Sequence, residues 1–184
     1  MLDELDDGVL VVASGRYAGG TARAVTRFKY ASRPDLALPL AERIFDAAST
    51  ANVCGPCLFV PVPLHPQRLA RRGYNQSALL AARLARLFGW RMRARALART
   101  VDTIAQATLP REQRLRNVAH AIVAREDVAH AHVALVDDVV TTGATALACA
   151  RALVGAGAAR VTIFAVARAT AEPAEPATEH TNEK

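Results

Sequence analysis

Residues 132–145, HVALVDDVVTTGAT, contain the clearest structural pattern in the sequence. The first part, His132 to Asp138, is an apolar run that ends in two acids, which is typical of a buried strand. Val139 to Gly143 is a loop of small residues, and Ala144–Val154 is a helix closed by glycines. Arg160–Val166 is a second apolar strand. Strand, loop, helix and strand within about 35 residues predict a βαβ unit, and therefore a parallel sheet.

Outward from this unit, hydrophobic spacing predicts the remaining elements. Cys57–Pro63 is a buried strand that ends at prolines, and Asn75–Phe88 is an amphipathic helix that stops at Gly89. The other predicted segments are a strand at Val9–Val12 that belongs to a hairpin or small flap, helices over Thr21–Tyr30 and Leu36–Ala48, a loop from Pro66 to Gly73, a strand over Met92–Leu97, a loop over Thr100–Leu109 and a short helix over Pro110–Asn117. Together they predict an α/β fold with a central parallel sheet flanked by helices.

Length and composition exclude several classes of protein. The 184 residues suffice for one domain with a hydrophobic core, and 52% hydrophobic residues rule out disorder over the whole chain. No apolar run is long enough for a bilayer span, and the acidic start, Met1–Asp7, does not resemble a secretory signal. Three cysteines are too few for a disulfide scaffold, so we expect a cytoplasmic protein. Residues 171–184 repeat Glu-Pro-Ala and predict a disordered tail.

Positive charge is concentrated in one part of the chain. The formal net charge is +6, but residues 68–116 alone hold twelve arginines against two acids. Among the 23 basic residues only Lys29 and Lys184 are lysines. Because the guanidinium group matches the geometry of phosphate, this pattern favours a phosphate-rich partner. The partner is either a nucleic acid or a small phosphorylated substrate.

The acids and the small residues after them predict a ligand site. Asp137 and Asp138 lie where an α/β sheet binds its ligands, at the carboxyl end of a strand. They offer acceptors for paired hydroxyls or for a hydrated cation. The turn Thr141-Thr142-Gly143-Ala144-Thr145 opens a helix, whose free N–H groups and dipole attract an anion. Gly143 lets the backbone approach a phosphate closely. Acceptors for hydroxyls followed by donors for a phosphate suit a ribose 5-phosphate.

Other chemistry-bearing residues have simpler interpretations. Cys54-Gly-Pro-Cys57 spells a redox tetrapeptide, but it precedes a strand instead of opening a helix, so we interpret it as a loop. Cys149 lies on a predicted helix and is assigned to the core. His130 and His132 have no further ligands nearby, and their spacing is interpreted as chance. No resident metal site is predicted.

Four segments together resemble a known family. Residues 133–145, VALVDDVVTTGAT, look like the phosphoribosyl-pyrophosphate (PRPP) motif of type I phosphoribosyltransferases. Residues 60–65, VPVPLH, residues 72–76, RGYNQ, and a spread pattern resemble, more narrowly, the ComF/GntX family of competence-associated phosphoribosyltransferase-like proteins. The spread pattern comprises Arg99, Thr100, Gln106, Arg114 and Asn117. The resemblance covers about residues 17–168.

The resemblance implies a fold, a domain division and a set of site residues. The fold would be that of a type I phosphoribosyltransferase, with a variable N-terminal hood in residues 1–30 that contains Tyr17, Lys29 and Tyr30 and selects the acceptor, and a core in residues 31–170. Asp137 and Asp138 would bind the ribose hydroxyls and act in catalysis, and Thr141 to Thr145 would cradle the 5-phosphate. The pyrophosphate side and the flexible closing loop would comprise Pro63, Leu64, Arg72, Arg99, Gln106, Arg111 and Arg114.

The implied activity is transfer of ribose 5-phosphate from PRPP, with Mg²⁺, to an unknown acceptor, in a protein associated with natural competence and DNA uptake. An alternative stays open, in which the protein is a non-catalytic adaptor or regulator that senses a ribose phosphate or binds single-stranded DNA beside competence proteins. This alternative rests on five arginines that have no assigned role at the site: Arg83, Arg86, Arg91, Arg93 and Arg95. Members of the family commonly begin with a four-cysteine zinc module, and this sequence shows none before the hood.

Overall fold

The computed structural model describes residues 1–5, 8–53, 55, 57–100 and 121–169. Seven strands and five helices lie in these ranges, besides a 3₁₀ turn at Pro34–Leu36. The strands are β1 (Leu2–Leu5), β2 (Val9–Ala13), β3 (Leu58–Pro61), β4 (Leu97–Arg99), β5 (Ile122–Ala124), β6 (His132–Val140) and β7 (Arg160–Arg168), and the helices are α1 (Gly19–Tyr30), α2 (Ala37–Thr50), α3 (Pro66–Arg72), α4 (Gln76–Phe88) and α5 (Ala144–Gly155).

The central sheet has five strands in the order β1-β2-β7-β6-β3. Strands β2, β7, β6 and β3 run parallel to one another, whereas the edge strand β1 pairs antiparallel with β2. A separate antiparallel pair is formed by β4 and β5. The predicted α/β class with its central parallel sheet is confirmed, and β1 makes the sheet mixed.

The predicted βαβ unit is β6, α5 and β7. The two strands pair in parallel along their whole length, from His132 opposite Arg160 to Val140 opposite Arg168. Consecutive residues point to opposite faces of the sheet, so Leu135 lies in one apolar cluster and Val136 in the other. Burial on both faces is the reason why these strands are continuously apolar in sequence.

Helices cover both faces of the sheet. On one face α5 packs with the β4–β5 pair around Leu135, Ile163 and Leu153. On the other face α1, α2 and α4 bury a cluster that contains Phe28, Phe59 and Phe164. The helix predicted at 75–88 is confirmed as α4, with the Asn75 side chain capping its start and Gly89 ending it in the left-handed conformation.

Three sequence expectations differ from the structure. The segment expected to be a loop from Pro66 to Gly73 contains α3, because Pro66 at its first turn and Gly73 at its end give the short helix both boundaries. The strand expected over Met92–Leu97 is displaced to Leu97–Arg99, since residues 91–93 instead run beside the edge of β3. Asp137 and Asp138 were expected at the end of a strand, but β6 continues to Val140.

The N-terminal hairpin is part of the central sheet. The antiparallel pair β1–β2 contains the β-branched run from which a hairpin was predicted, and β2 pairs in parallel with β7. Val11, Val12 and Ala13 are fully buried, so this part of the predicted hood packs into the core of the sheet.

The predicted domain boundary at residue 30 stays a prediction. The predicted loop over Thr100–Leu109, apart from Thr100 itself, the helix over Pro110–Asn117 and the tail over 171–184 lie outside the described residues.

None of the described helices combines the length and the apolar character that a membrane span requires.

Candidate functional site

The candidate site lies at the carboxyl edge of the sheet, where β3 and β6 end and α5 begins. Parallel strands end together at one edge and leave a crevice there. In this protein the crevice is a cavity of about 570 Å³. Residues of α1, of α3, of the start of α4 and of β4 also line it, so parts of the chain that are distant in sequence contribute side chains.

The two adjacent aspartates of β6 line this cavity and have different partners. Ser77 donates its hydroxyl hydrogen to Oδ1 of Asp137 at 3.2 Å, and the backbone N–H of Asp138 donates to the same oxygen at 2.8 Å. The carboxylate of Asp138 forms an ion pair with Lys29, whose Nζ lies 2.8 Å from Oδ1. The ion pair is largely enclosed, because the side chains of Lys29 and Asp138 are 22% and 9% exposed.

Burial and neighbouring charge make the pair electrostatically asymmetric. Burial, and next the negative charge of Asp138, raise the pKa of Asp137 to about 7. Burial by itself lowers the pKa of Lys29, but the attraction of Asp138 outweighs it, and the pKa of Lys29 is raised. Near neutral pH the site therefore holds one carboxyl group that can exchange a proton beside an ion pair.

The turn from Thr141 to Thr145 forms the start of α5 as predicted. Gly143 precedes the helix with a positive φ of 82°, a conformation that favours glycine, and its carbonyl accepts from the N–H of Leu147 at 2.8 Å. The hydroxyl of Thr142 accepts weakly from the N–H of Ala144 at 3.4 Å. The first turn of α5 lines the cavity, so the positive end of the helix dipole faces it. This turn contains no acidic residue that would neutralise the positive end.

The first strand of the N-terminal hairpin, β1, packs against this turn. A Cβ atom built on Gly143 would lie 2.8 Å from Cδ1 of Leu5, which shows how closely β1 packs against the turn. Arg168, the last residue of β7, donates from Nε to Asp3 of β1 at 2.7 Å. The same guanidinium donates from Nη1 to the carbonyl oxygens of Val140 and Thr141. Arg168 thus joins the hairpin to the beginning of the turn.

A second group of side chains fixes Arg72 at the opposite wall. Its Nη1 donates to Oε1 of Gln76 at 2.6 Å, and its guanidinium carbon lies 5.1 Å from the ring centre of Tyr30. Gln76 is 2% exposed, and its Nε2 has no hydrogen-bond partner among the described residues. Asn75 caps α4 by accepting from the N–H of Ser77 at 3.0 Å, and its Nδ2 donates to the carbonyl of Val62. These contacts hold α3 and α4 against the end of β3.

Most residues predicted for the site from the sequence line this one cavity. They are Asp137, Asp138, Thr141, Thr142, Gly143, Ala144, Thr145, Pro63, Leu64, Arg72 and Arg99. Gln106, Arg111 and Arg114 lie outside the described residues. The structure therefore brings the two acids, the turn, Arg72 and Arg99 together at one cavity. The roles of these residues toward a ligand stay predictions.

Sequence reasoning missed the partners of the two acids. It placed Lys29 in an acceptor-selecting hood, but the structure pairs Lys29 with Asp138. A signal was present, because Lys29 is the one lysine of the first 183 residues in a chain that otherwise uses arginine. Ser77 and Gln76 lie in or beside the motif at residues 72–76, yet nothing in their spacing connects them to a strand 60 positions later.

Relatives of this chain have names that refer to DNA utilization and to competence. It is 33% identical to DNA utilization protein YhgH of Escherichia coli strain K12 over 162 residues, which cover 86% of this chain and 71% of that protein. It is 31% identical to competence protein F of Haemophilus influenzae over 166 residues, with 86% and 72% covered. No protein-family model matches the chain.

Solved structures of hypoxanthine phosphoribosyltransferases are also similar. That of Trypanosoma cruzi matches with a TM-score of 0.41 and 16% identity, over 84% of this chain and 72% of the other. The relatives known by sequence are more than 30% identical and more than two thirds covered. The chain therefore belongs to the family of DNA utilization protein YhgH and competence protein F, the ComF/GntX family of competence-associated proteins.

Proposed function

We propose that this protein binds PRPP together with Mg²⁺ and transfers its ribose 5-phosphate to an acceptor. One observation carries the proposal: a single cavity is lined by the Asp137–Asp138 pair, by the Thr141–Thr145 turn and by Arg72. The acids suit the ribose hydroxyls, the turn suits the 5-phosphate, and the arginine suits the pyrophosphate. The volume of about 570 Å³ is within the range of small-molecule sites.

The chemistry that such a site supports is mainly positioning and charge neutralisation. A nucleophilic atom of the acceptor forms a bond to C1 of the ribose, while the bond from C1 to pyrophosphate breaks and pyrophosphate leaves with its electron pair. Positive charge develops on the ribose during this step, and carboxylates fixed beside it stabilise that charge. The proton released by the acceptor can pass to Asp137, whose pKa is raised to about 7.

Magnesium enters this proposal as part of the substrate. The described residues contain no group of three or more histidine, cysteine, aspartate or glutamate side chains that could hold a resident ion. Mg²⁺ commonly takes one or two protein carboxylates and fills its other positions with phosphate oxygens and water. The carboxylates of Asp137 and Asp138 fit that limited role for an ion carried in by pyrophosphate.

Calorimetric titration with PRPP, with and without Mg²⁺, tests the proposal. The variant Asp137→Asn/Asp138→Asn should bind PRPP at least about tenfold more weakly, because it loses both charged acceptors. The matched control is Glu42→Gln/Asp46→Asn, which removes two exposed acids from α2 and should bind as the wild type does. Equal binding by both double variants would refute the site. Release of pyrophosphate from PRPP with candidate bases then tests turnover.

A second candidate function is binding of single-stranded nucleic acid, and one surface favours it. Arg83, Arg86, Arg91 and Arg95 are exposed and Arg93 is half-exposed, where α4 ends and the chain passes the edge of β3. We call this surface the arginine edge. Trp90 stacks on Phe88 at 4.5 Å inside the aromatic cluster, so it is engaged with the core. The arginine edge therefore suits phosphate contacts more than base stacking.

A further inference from the structure

A second cleft opens beside the candidate site, between α1 and α3. Its volume is about 370 Å³. The described residues that line it are Lys29, Tyr30, Ser32, Arg68, Arg71 and Arg72. Lys29, Tyr30, Arg68 and Arg72 also line the larger cavity, so the two spaces adjoin. A molecule in this cleft would lie next to one bound at the acids.

The positive charge of the cleft favours binding of an anion. Of the six described residues that line it, four carry a positive charge and none carries a carboxylate. Lys29 is already paired with Asp138, so the charge that faces the cleft is assigned mainly to Arg71 and Arg72 of α3. Arg71 is exposed at the end of α3, and Arg72 is held in place by Gln76. Guanidinium groups in this arrangement match the oxygens of a phosphate.

The cleft also offers an aromatic surface. Tyr30 is 74% exposed, more than any other large hydrophobic or aromatic residue that the structure describes. The guanidinium carbon of Arg72 lies 5.1 Å from its ring centre. A ring held by a cation at the mouth of a cleft provides a stacking surface for a planar group. The ligand that fits therefore has both a phosphate and a planar aromatic ring.

We propose that this cleft binds a nucleotide as the second ligand of the site, with the base against Tyr30 and a phosphate on Arg71. The proposal extends the proposed function, because it names the chemical class of the molecule that would meet the bound ribose phosphate. The same chemistry is available from a free mononucleotide and from the 5′-phosphorylated end of a strand. Titrations with both sources distinguish them.

The test titrates AMP and adenosine into protein saturated with ribose 5-phosphate, which the proposed function assigns to the Thr141–Thr145 turn. AMP should bind at least about tenfold more tightly than adenosine, as expected for a charged hydrogen bond to phosphate. Arg71→Glu should weaken AMP binding about tenfold and leave the affinity for ribose 5-phosphate within about twofold. Tyr30→Ala should weaken AMP binding, and Tyr30→Phe should retain it. The matched control, Arg125→Glu, places the same charge change on an exposed residue outside the cleft.

The outcomes separate this proposal from the proposed function. Equal binding of adenosine and AMP, or equal effects of Arg71→Glu and Arg125→Glu, would overturn the cleft assignment. If the wild type binds ribose 5-phosphate but not AMP, the cleft assignment alone is wrong. If it binds AMP in an Arg71-dependent way but binds neither ribose 5-phosphate nor PRPP with Mg²⁺, the proposed function is wrong and the cleft is supported. Preference for a 5′-phosphorylated oligonucleotide over its 5′-hydroxyl form identifies a strand end as the source.

Discussion

At the scale of single residues, the Asp137–Asp138 pair shows how a candidate site lowers the stability of the fold that carries it. Two carboxyl groups follow one another on a largely buried strand, and only Asp138 has a cation within ion-pair distance among the described residues. Asp137 receives two hydrogen bonds, from Ser77 and from the N–H of Asp138, but no compensating charge of its own. Its raised pKa reflects this unfavourable ionisation.

We expect Asp137→Asn to stabilise the protein in a pH-dependent way. The folded state keeps the Asp137 proton up to a pKa of about 7, whereas the unfolded chain releases it near 3.8, so wild-type stability falls as pH rises through that interval. Asparagine keeps an oxygen for both hydrogen bonds and never ionises. The melting temperature of the variant should match the wild type near pH 3.5 and exceed it by several degrees at pH 8, where about 1 kcal/mol corresponds to about 2–4 °C.

The control for this experiment is Asp46→Asn, which removes an exposed carboxylate from α2. Its melting temperature should follow the wild type at both pH values. A gain for Asp137→Asn of equal size at pH 3.5 and at pH 8 would contradict the explanation, since it would not depend on ionisation.

At the scale of elements, the N-terminal hairpin and the start of α5 depend on each other. Leu5 packs against Gly143, and Asp3 holds Arg168, which in turn donates to the carbonyls at the start of the turn. The turn proposed to bind the 5-phosphate is therefore positioned by residues at opposite ends of the described chain. The antiparallel edge strand β1 therefore supports the turn through Leu5 and Asp3.

We expect Gly143→Ala to destabilise the protein by about 1–3 kcal/mol. The positive φ of 82° costs an alanine about 1–2 kcal/mol, and the contact of its Cβ with Leu5 adds to that. The steric part disappears when Leu5 is shortened. In urea unfolding, Leu5→Ala/Gly143→Ala should therefore be less destabilised than the sum of its single variants by at least about 0.5 kcal/mol.

Gly89 offers a matched control for this cycle. It also has a positive φ, at 69°, but a Cβ atom there would meet nothing within 4 Å. Gly89→Ala and Leu5→Ala should consequently be additive. Additive behaviour at Gly143 as well would show that Leu5 does not press on the turn.

At the scale of the whole molecule, positive charge is divided between two surfaces. Arg68, Arg71 and Arg72 surround the cavities at the carboxyl edge, while the arginine edge follows α4 along the side of the sheet. Arg91 and Arg93 make backbone hydrogen bonds to Phe59 on both sides, so this basic segment covers the open edge of β3. Covering a strand edge with charge hinders edge-to-edge association and leaves an exposed basic strip.

If the arginine edge contacts single-stranded DNA, affinity should fall linearly with the logarithm of salt concentration. Each phosphate contact contributes a slope of about −0.7. Arg86→Glu/Arg91→Glu should make the slope less steep by about one contact or more, measured by fluorescence anisotropy between low and moderate salt. The control Arg23→Glu/Arg27→Glu makes the same charge change on α1 and should keep the wild-type slope. Absence of binding at low salt would remove this candidate function.

Local patterns in the sequence determined the elements and the centre of the site. The apolar runs of β6 and β7 and the glycine-closed helix between them predicted the βαβ unit, since burial on both faces of a parallel sheet leaves a continuous apolar signal. Asp137, Asp138 and the turn to Thr145 were predicted together because they are adjacent in the chain. The short helix α3 was missed, because seven residues provide too little periodicity to distinguish a helix from a loop.

Tertiary structure alone decided which residues meet at that centre. Lys29 reaches Asp138 from a helix that ends more than a hundred positions earlier, and Asp3 reaches Arg168 across 165 positions. Hydrophobic spacing predicts which face of an element is buried, but a polar contact between distant elements depends on strand order and register, which no local pattern contains. Local sequence patterns are enough to predict the α/β class and the motif of two acids followed by a turn. The two adjoining cavities exist only because α1, α3, α4 and the hairpin pack around the sheet.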